Sequence, residues 1–197
     1  GVYMTTVLMP VGVPSERLTQ LALVAGLSTR ATCEQLGAAG ARVKWPNDIL
    51  VGRKKLAGVL LEAQPGPGPL VLVGIGLNLA AREHVRLDEA ISRRYVGLHD
   101  LIEGEPSAET VSRTLLAQLE EYYREWLAGG WSRQREEFER HHALTGDTVW
   151  AQSDDRAVDG VVSGLDENGA LILQTNRGPV RVSSGEVERV RLRRSGS

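Results

Sequence analysis

The sequence predicts an α+β fold in which a mixed central β-sheet packs with helices and is followed by a small β-barrel. Up to residue 143, apolar strand-like runs are interspersed with segments of helical periodicity. From Leu144 onward the pattern changes to short alternating strands joined by Gly, Asn and Asp turns. We therefore expect two domains, residues 1–143 and residues 144–197.

The first domain is predicted to begin with a strand and a helix. Val2 to Met9 is a strand-like run, so the chain starts inside a strand and further sequence is expected upstream. Pro14 and Ser15 open a helical segment that should end near Gly37 or Gly40. Its core-facing residues are expected to be Leu18, Leu21, Ala22, Ala25, Thr29, Thr32 and Leu36.

A motif of polar and charged residues, KWPND at residues 44–48, interrupts the strands of residues 41–63. Pro46 fixes its own φ and favours an extended conformation for Trp45. The side chains of Asn47 and Asp48 stabilise turns. The motif therefore predicts that a strand runs into a tight corner here.

A hairpin is predicted immediately after this corner. Two apolar runs, rich in branched residues, flank Gly52-Arg53, a plausible two-residue turn. The corner and the hairpin together would bring Lys44, Asp48 and Lys55 toward one end of a sheet. Such an arrangement suits chemistry on anions.

The middle of the chain should contain one more strand and a loop. Pro65 to Pro69 indicates a surface turn, and Leu70 to Leu77 a buried strand. The charged and poorly periodic stretch from Arg82 to Arg94 is interpreted as a mobile loop, either closing over a ligand or merely solvated.

Two helices should complete the first domain. Ser107 is a good cap for a helix that Gly129-Gly130 should stop, and a third helix is expected from Ser132 to His142. The pair His141-His142 is interpreted as surface histidines. Adjacent helix residues point in different directions, and no cysteine or acidic partner stands at metal-ligand spacing.

The C-terminal domain should be a small closed or nearly closed barrel, because five short strands fall within about fifty residues. The expected strands are Asp147 to Gln152, Ala157 to Gly164, Ala170 to Thr175, Val180 to Ser183 and Val187 to Leu192.

Composition narrows the functional class. The balance of 23 basic and 25 acidic residues argues against a broad nucleic-acid surface. The single cysteine, Cys33, excludes an internal disulfide and is expected to pack in the core rather than react. No apolar run could span a bilayer and no signal peptide is visible, so we expect a cytoplasmic protein that binds no membrane.

The motifs resemble those of the biotin protein ligase family, whose members join biotin to ATP and pass it to a protein lysine. KWPND, RKKLAGVLLE at residues 53–62 and GIGLN at residues 74–78 occur in the family's order and near its spacing. The resemblance implies a catalytic domain similar to those of class II aminoacyl-tRNA synthetases and biotin ligases, with an SH3-like C-terminal barrel. It implies an AMP-forming ligase that makes biotinyl-5′-AMP.

The resemblance also implies roles for individual residues. Lys55 would be the catalytic lysine that contacts both the biotin carboxylate and the α-phosphate. Asn78 would lie beside the adenine. The charge of Asp48 itself leads us to expect that it orients Lys55 or coordinates Mg²⁺. The expected biotin-binding residues are Lys55, Gly58, Tyr3 and Thr5, and the expected ATP-binding residues are Lys44, Asn47, Asp48, Gly76 and Asn78.

The nucleotide must be held without a standard phosphate loop. No GxxxxGK[ST] motif occurs, and Gly74-Ile75-Gly76 lacks the third glycine of a dinucleotide fingerprint. The arginine-rich GRGRxGR loop of the family is absent too. We therefore expect the chain by itself to adenylate biotin feebly or not at all, and an upstream extension to restore the activity.

Several alternatives remain open at the level of sequence. A lipoate or octanoate ligase or transferase would have a similar architecture and also use a single lysine. A protein that binds the adenylate or a partner without turnover is a third reading. The acceptor implied by the resemblance is a biotin carboxyl carrier protein such as that of acetyl-CoA carboxylase, and the protein could be a monomer or a homodimer.

Overall fold

The computed structural model describes residues 1–64, 68–80, 94–153 and 156–190. The chain divides into two compact units, Gly1–Ala143 and Leu144–Ser197. Most of the predicted loop from Arg82 to Arg94 lies outside the described residues, as do three residues of the predicted turn from Pro65 to Pro69. The elements of the first unit are β1 (Val2–Leu8), α1 (Gln20–Gln35), β2 (Ala41–Lys44), β3 (Asp48–Val51), β4 (Lys54–Gln64), β5 (Leu70–Leu77), α2 (Ala108–Leu127) and α3 (Trp131–His141).

The central sheet of the first unit has the strand order β1-β5-β4-β3-β2, and neighbouring strands are antiparallel. Among the described residues of this unit, parallel pairing is limited to two isolated bridges, Val43 with His142 and Lys55 with Tyr95, so the sheet is antiparallel rather than mixed as the sequence predicted. One row of paired residues runs across all five strands and is buried throughout: Val2, Leu77, Ala57, Ile49 and Val43. Since directly opposite residues share a face, this row marks the side of the sheet that faces the core. The predicted α+β fold is confirmed.

Helix α1 is buried on most of its circumference and packs against both the sheet and α2. Its hydroxyl groups bond within the helix: Ser28 and Thr29 donate to the carbonyl of Ala25, and Thr32 donates to that of Ser28. These bonds allow polar side chains to lie in the core without an unsatisfied hydroxyl. The predicted helix begins later than expected, because residues 15–17 form a 3₁₀ turn before α1.

Cys33 is fully buried in α1, which confirms that it packs in the core. Burial raises the pKa of its thiol to about 12, although the positive charge of Arg30 acts in the opposite direction. At pH 8 only on the order of one thiol in 10⁴ would then be the reactive thiolate. We expect the folded chain to resist alkylation by iodoacetamide and the urea-unfolded chain to react fully, as measured by mass spectrometry. Rapid labelling of the folded chain would contradict the buried position.

The ends of α2 follow the predicted signals. The hydroxyl of Ser107 accepts a hydrogen bond from the backbone N–H of Thr110, as expected of a helix cap. The helix ends at Leu127, just before Gly129.

The prediction of two surface histidines is wrong for His142. Its side chain is only 3% exposed, and its Nε2 accepts a hydrogen bond from the backbone N–H of Trp45. The sequence pattern placed it on a solvated helix end, but α3 stops at His141 and the following residue takes an extended conformation. His142 thereby reaches the edge strand β2.

The second unit contains the five strands that the alternation predicted. They are β6 (Thr148–Ser153), β7 (Arg156–Leu165), β8 (Leu171–Thr175), β9 (Gly178–Val182) and β10 (Glu186–Arg189). They pair antiparallel in the order β10-β6-β7-β8-β9, so the last strand returns to lie beside the first, and the fold is SH3-like. Across the described part of the chain, no helix is long and apolar enough to span a bilayer.

Candidate functional site

The KWPND motif forms the predicted corner between β2 and β3. Lys44 and Asp48 are paired across the two strands, and Trp45 is buried at the turn. Asn47 forms two hydrogen bonds with Val59 of β4. Its side-chain Nδ2 donates to the Val59 carbonyl at 2.7 Å, and its backbone carbonyl accepts from the Val59 N–H at 2.8 Å. Two bonds to a central strand make this corner a rigid part of the sheet.

The hairpin after the corner is also present. Val51 pairs with Lys54 across the two-residue turn, in which Gly52 has a φ of +60°, a value that glycine adopts readily.

A β-bulge in this hairpin determines where Lys55 points. Ile49 pairs with Ala57 but Leu50 pairs with Lys55, so β4 carries one additional residue, Leu56. Leu56 and Ala57 are consecutive yet both buried. The bulge therefore resets the alternation of the strand and brings Lys55 and Gly58 to the same outer face. We did not predict the bulge, since an uninterrupted apolar run gives no signal of a shift in register.

Lys55 and Asp48 form an ion pair on this outer face. The Nζ of Lys55 lies 2.5 Å from Oδ1 of Asp48, with the two side chains 37% and 20% exposed. A Cβ at Gly58 would lie 3.0 Å from both Cε and Nζ of Lys55, so the lysine passes directly over this glycine. The predicted proximity of Asp48 and Lys55 is confirmed, and the ammonium is held in one place while remaining accessible to solvent.

Five of the predicted site residues form a single row across the sheet. Successive cross-strand partners are Tyr3, Gly76, Gly58, Asp48 and Lys44. This row lies next to the buried row described above and therefore faces outward. An aromatic ring lies at one end, two glycines follow, and the carboxylate and ammonium groups lie at the other end.

A cleft of about 340 Å³ lies over the glycine side of this row. Its lining is Tyr3, Met4, Thr5, Lys55, Gly58, Val59, Leu60, Gly74, Ile75 and Gly76. Three glycines keep its floor at the level of the backbone, and Lys55 supplies its charged group. The cleft thus combines an apolar floor with a cation at one edge, which fits a small organic acid. Lys44, Asn47, Asp48 and Asn78 do not line it.

Asn78 contacts the backbone that carries Lys55. Its side-chain Nδ2 donates to the carbonyls of Lys55 at 3.3 Å and Val96 at 3.4 Å, and its N–H donates to the carbonyl of Leu56 at 3.0 Å. The Lys55 N–H in turn donates to the carbonyl of Arg94, and its carbonyl accepts from the N–H of Val96. The backbone of Lys55 is therefore hydrogen-bonded both to Asn78 and to residues 94–96. The sequence pattern did not reveal the contact with residues 94–96.

A metal site built by the protein alone does not fit this arrangement. Within the described ranges no group of three or more His, Cys, Asp or Glu side chains could hold a metal ion. The carboxylate of Asp48, the predicted Mg²⁺ ligand, is paired with Lys55. We assign no metal-dependent step to these residues.

The sequence matches two known protein-family models and is similar to curated relatives and to solved structures. Residues 1–79 match the Biotin/lipoate A/B protein ligase family, and residues 146–190 match the Biotin protein ligase C terminal domain. The biotin--[acetyl-CoA-carboxylase] ligase of Paracoccus denitrificans is 32% identical over 194 residues, which cover 93% of this chain and 78% of the relative.

Two further comparisons extend this similarity. The bifunctional ligase/repressor BirA of Bacillus subtilis is 27% identical over 197 residues, covering 95% of this chain and 58% of the relative, so the chain spans under two thirds of that protein's length. The structure of the biotin protein ligase from Aquifex aeolicus in complex with biotin and ATP superposes with a TM-score of 0.81 at 26% identity, covering 95% of this chain and 78% of that chain.

Proposed function

Because this chain belongs to the biotin protein ligase family, we propose that it acts as an AMP-forming biotin ligase. In the first step, biotin and ATP form biotinyl-5′-AMP and pyrophosphate. In the second, a lysine of an acceptor protein takes the biotinyl group and AMP leaves. The proposed acceptor is a biotin carboxyl carrier protein, because the Paracoccus denitrificans relative is named for acetyl-CoA carboxylase.

The observation that supports this proposal best is the position of Lys55 at the edge of the cleft, held by Asp48. In the first step a carboxylate oxygen attacks the α-phosphorus, a new P–O bond forms, and the bond to the bridging oxygen of pyrophosphate breaks. Two anions must approach each other, so positioning and cationic stabilisation supply most of the catalysis. An ammonium that already lies over Gly58 meets this need without reorganisation.

The remaining residues divide between the two substrates. We assign biotin to the cleft, with Tyr3 and Thr5 as its walls and Gly58 as part of its floor. The phosphates would lie toward Lys44, at the far end of the outer row. In the second step the neutral acceptor amine attacks the acyl carbon, the bond to the phosphate oxygen breaks, and the amine loses its proton.

We expect any Mg²⁺ to enter this site bound to the phosphates of ATP. The ion usually binds through substrate phosphates and several waters, with one or two carboxylates at most.

The test is pyrophosphate exchange into ATP with biotin, lipoate or octanoate as the acid, measured with and without the upstream extension that the sequence leads us to expect. Exchange that requires biotin and is not supported by the other two acids is the expected result. Exchange driven by lipoate or octanoate would instead favour the related ligases. Saturable binding of biotinyl-5′-AMP with no exchange in either form would favour a binding protein that does not turn over.

Removal of the C-terminal unit should separate biotin binding from the later steps. All residues that line the cleft lie between residues 3 and 76, so a chain truncated after Ala143 should bind biotin with nearly unchanged affinity. We expect weaker use of ATP or slower transfer to the acceptor, because the family resemblance assigns those tasks to the SH3-like unit. Calorimetry with biotin and steady-state transfer kinetics would measure the two effects. Unchanged transfer kinetics would rule out a role for the second unit.

A further inference from the structure

The residues that follow α3 form an additional contact with the edge strand β2. His142 bridges to Val43 in parallel, and the N–H of Ala143 donates to the Val43 carbonyl at 2.7 Å. The guanidinium of Arg42 donates to the His142 carbonyl at 3.5 Å. This segment therefore lies along β2 up to the point where the KWPND corner begins.

The His142 side chain makes the contact that reaches the corner itself. Its Nε2 accepts the backbone N–H of Trp45 at 3.2 Å, and its ring lies 5.5 Å from the ring of Phe138, between centroids. The backbone N–H can only donate, so Nε2 of His142 takes part in this bond through its lone pair. Both His142 and the Trp45 side chain are buried, which shields this hydrogen bond from water.

We propose that His142 is a positioning residue for the charged half of the site, an inference that rests on the proposed ligase function. Through Trp45 it fixes the corner whose two ends carry Lys44 and Asp48. Asp48 in turn holds the ammonium of Lys55.

The position of the corner predicts which substrate would be affected. The cleft is lined from β1, β4 and β5, whereas His142 acts on β2 and β3. A displaced corner would move Lys44 and release Asp48 from Lys55 but leave the floor of the cleft in place. Loss of the His142 acceptor should therefore weaken binding of the phosphate more than binding of biotin.

A matched pair of variants tests this role in the full 197-residue chain. In His142→Gln the amide oxygen can accept the Trp45 N–H, whereas in His142→Met a side chain of similar length offers only the weakly accepting thioether sulfur. Calorimetry would measure the affinity for biotin and for a biotinyl adenylate whose acyl phosphate is replaced by a non-hydrolysable sulfamate. We expect His142→Met to bind biotin within about threefold of wild type and the analogue about 10-fold or more weakly, and His142→Gln to restore analogue binding, in line with the cost of an unpaired buried N–H.

The outcomes separate this inference from the proposed function. A wild-type chain that binds neither biotin nor the analogue contradicts the ligase assignment and the inference with it. With a wild-type chain that binds both, equal analogue affinity in all three proteins overturns the inference alone. Equal losses for biotin and the analogue in His142→Met would reveal a merely structural role and overturn it too. Should His142→Met not fold, His142→Asn, whose amide is too short to reach Trp45, takes its place under the same criteria.

Discussion

In an otherwise active form of the protein, Lys55→Ala should lower the rate of biotinyl adenylate formation by about 10² to 10³, the usual effect of removing one preorganised donor to a developing charge. The fold should remain intact. Lys55 lies on the outer face of β4, is 37% exposed and forms a partly solvated ion pair, whose loss costs little stability. Biotin-dependent pyrophosphate exchange would measure the loss of adenylation, and the thermal unfolding midpoint would show whether the fold remains intact.

Lys54→Ala is the matched control for this variant. Lys54 is the neighbouring residue, is exposed, pairs with Val51 at the hairpin and does not line the cleft. Its replacement removes the same charge from the same strand without touching the site, so exchange should remain near the wild-type rate. If Lys54→Ala abolished exchange while Lys55→Ala retained it, the assignment of the catalytic lysine would be wrong.

The parts of the site that sequence could predict are those set by local backbone chemistry. Pro46, Asn47 and Gly52 restrict the chain within a few residues, so the corner and the hairpin followed from the motif alone. The approach of Asp48 to Lys55 followed from these two turns.

The parts that sequence could not predict depend on contacts between distant segments. The bulge at Leu56 leaves no mark in an apolar run, and the support of Lys55 by residues 94–96 uses backbone groups that every residue has. The buried position of His142 belongs to the same class, because its partner Trp45 is 97 residues away in the sequence. Helical periodicity reports which face is apolar but not where a helix stops and turns toward a strand.

Gly58→Ala should reduce exchange by about 10-fold, less than the removal of Lys55 itself, because the ammonium is shifted rather than lost. The new Cβ would lie 3.0 Å from Cε and Nζ of Lys55 and at an ordinary 3.5 Å from Oδ1 of Asp48, so the end of the lysine side chain must shift by a few tenths of an ångström. Since the displaced atoms are the flexible end of a side chain, the fold should tolerate the change, and the unfolding midpoint should shift by no more than a few degrees. Gly74→Ala is the comparison for the displacement of Lys55, because its Cβ would meet Leu60 at an ordinary 3.6 Å and would not touch Lys55. Any loss in Gly74→Ala would therefore come from the raised floor of the cleft.

The double variant Lys55→Ala/Gly58→Ala decides how Gly58 acts. If the alanine at position 58 acts only by displacing the Lys55 ammonium, it can cause no further loss once that ammonium is gone, and the double variant should be as active as Lys55→Ala alone. Additive losses would show instead that the methyl group obstructs the substrate directly. In the same cycle with Gly74→Ala the two losses should be additive, because the alanine Cβ at position 74 would not touch Lys55. A non-additive result confined to Gly58 would identify this glycine as the residue that makes room for the catalytic ammonium.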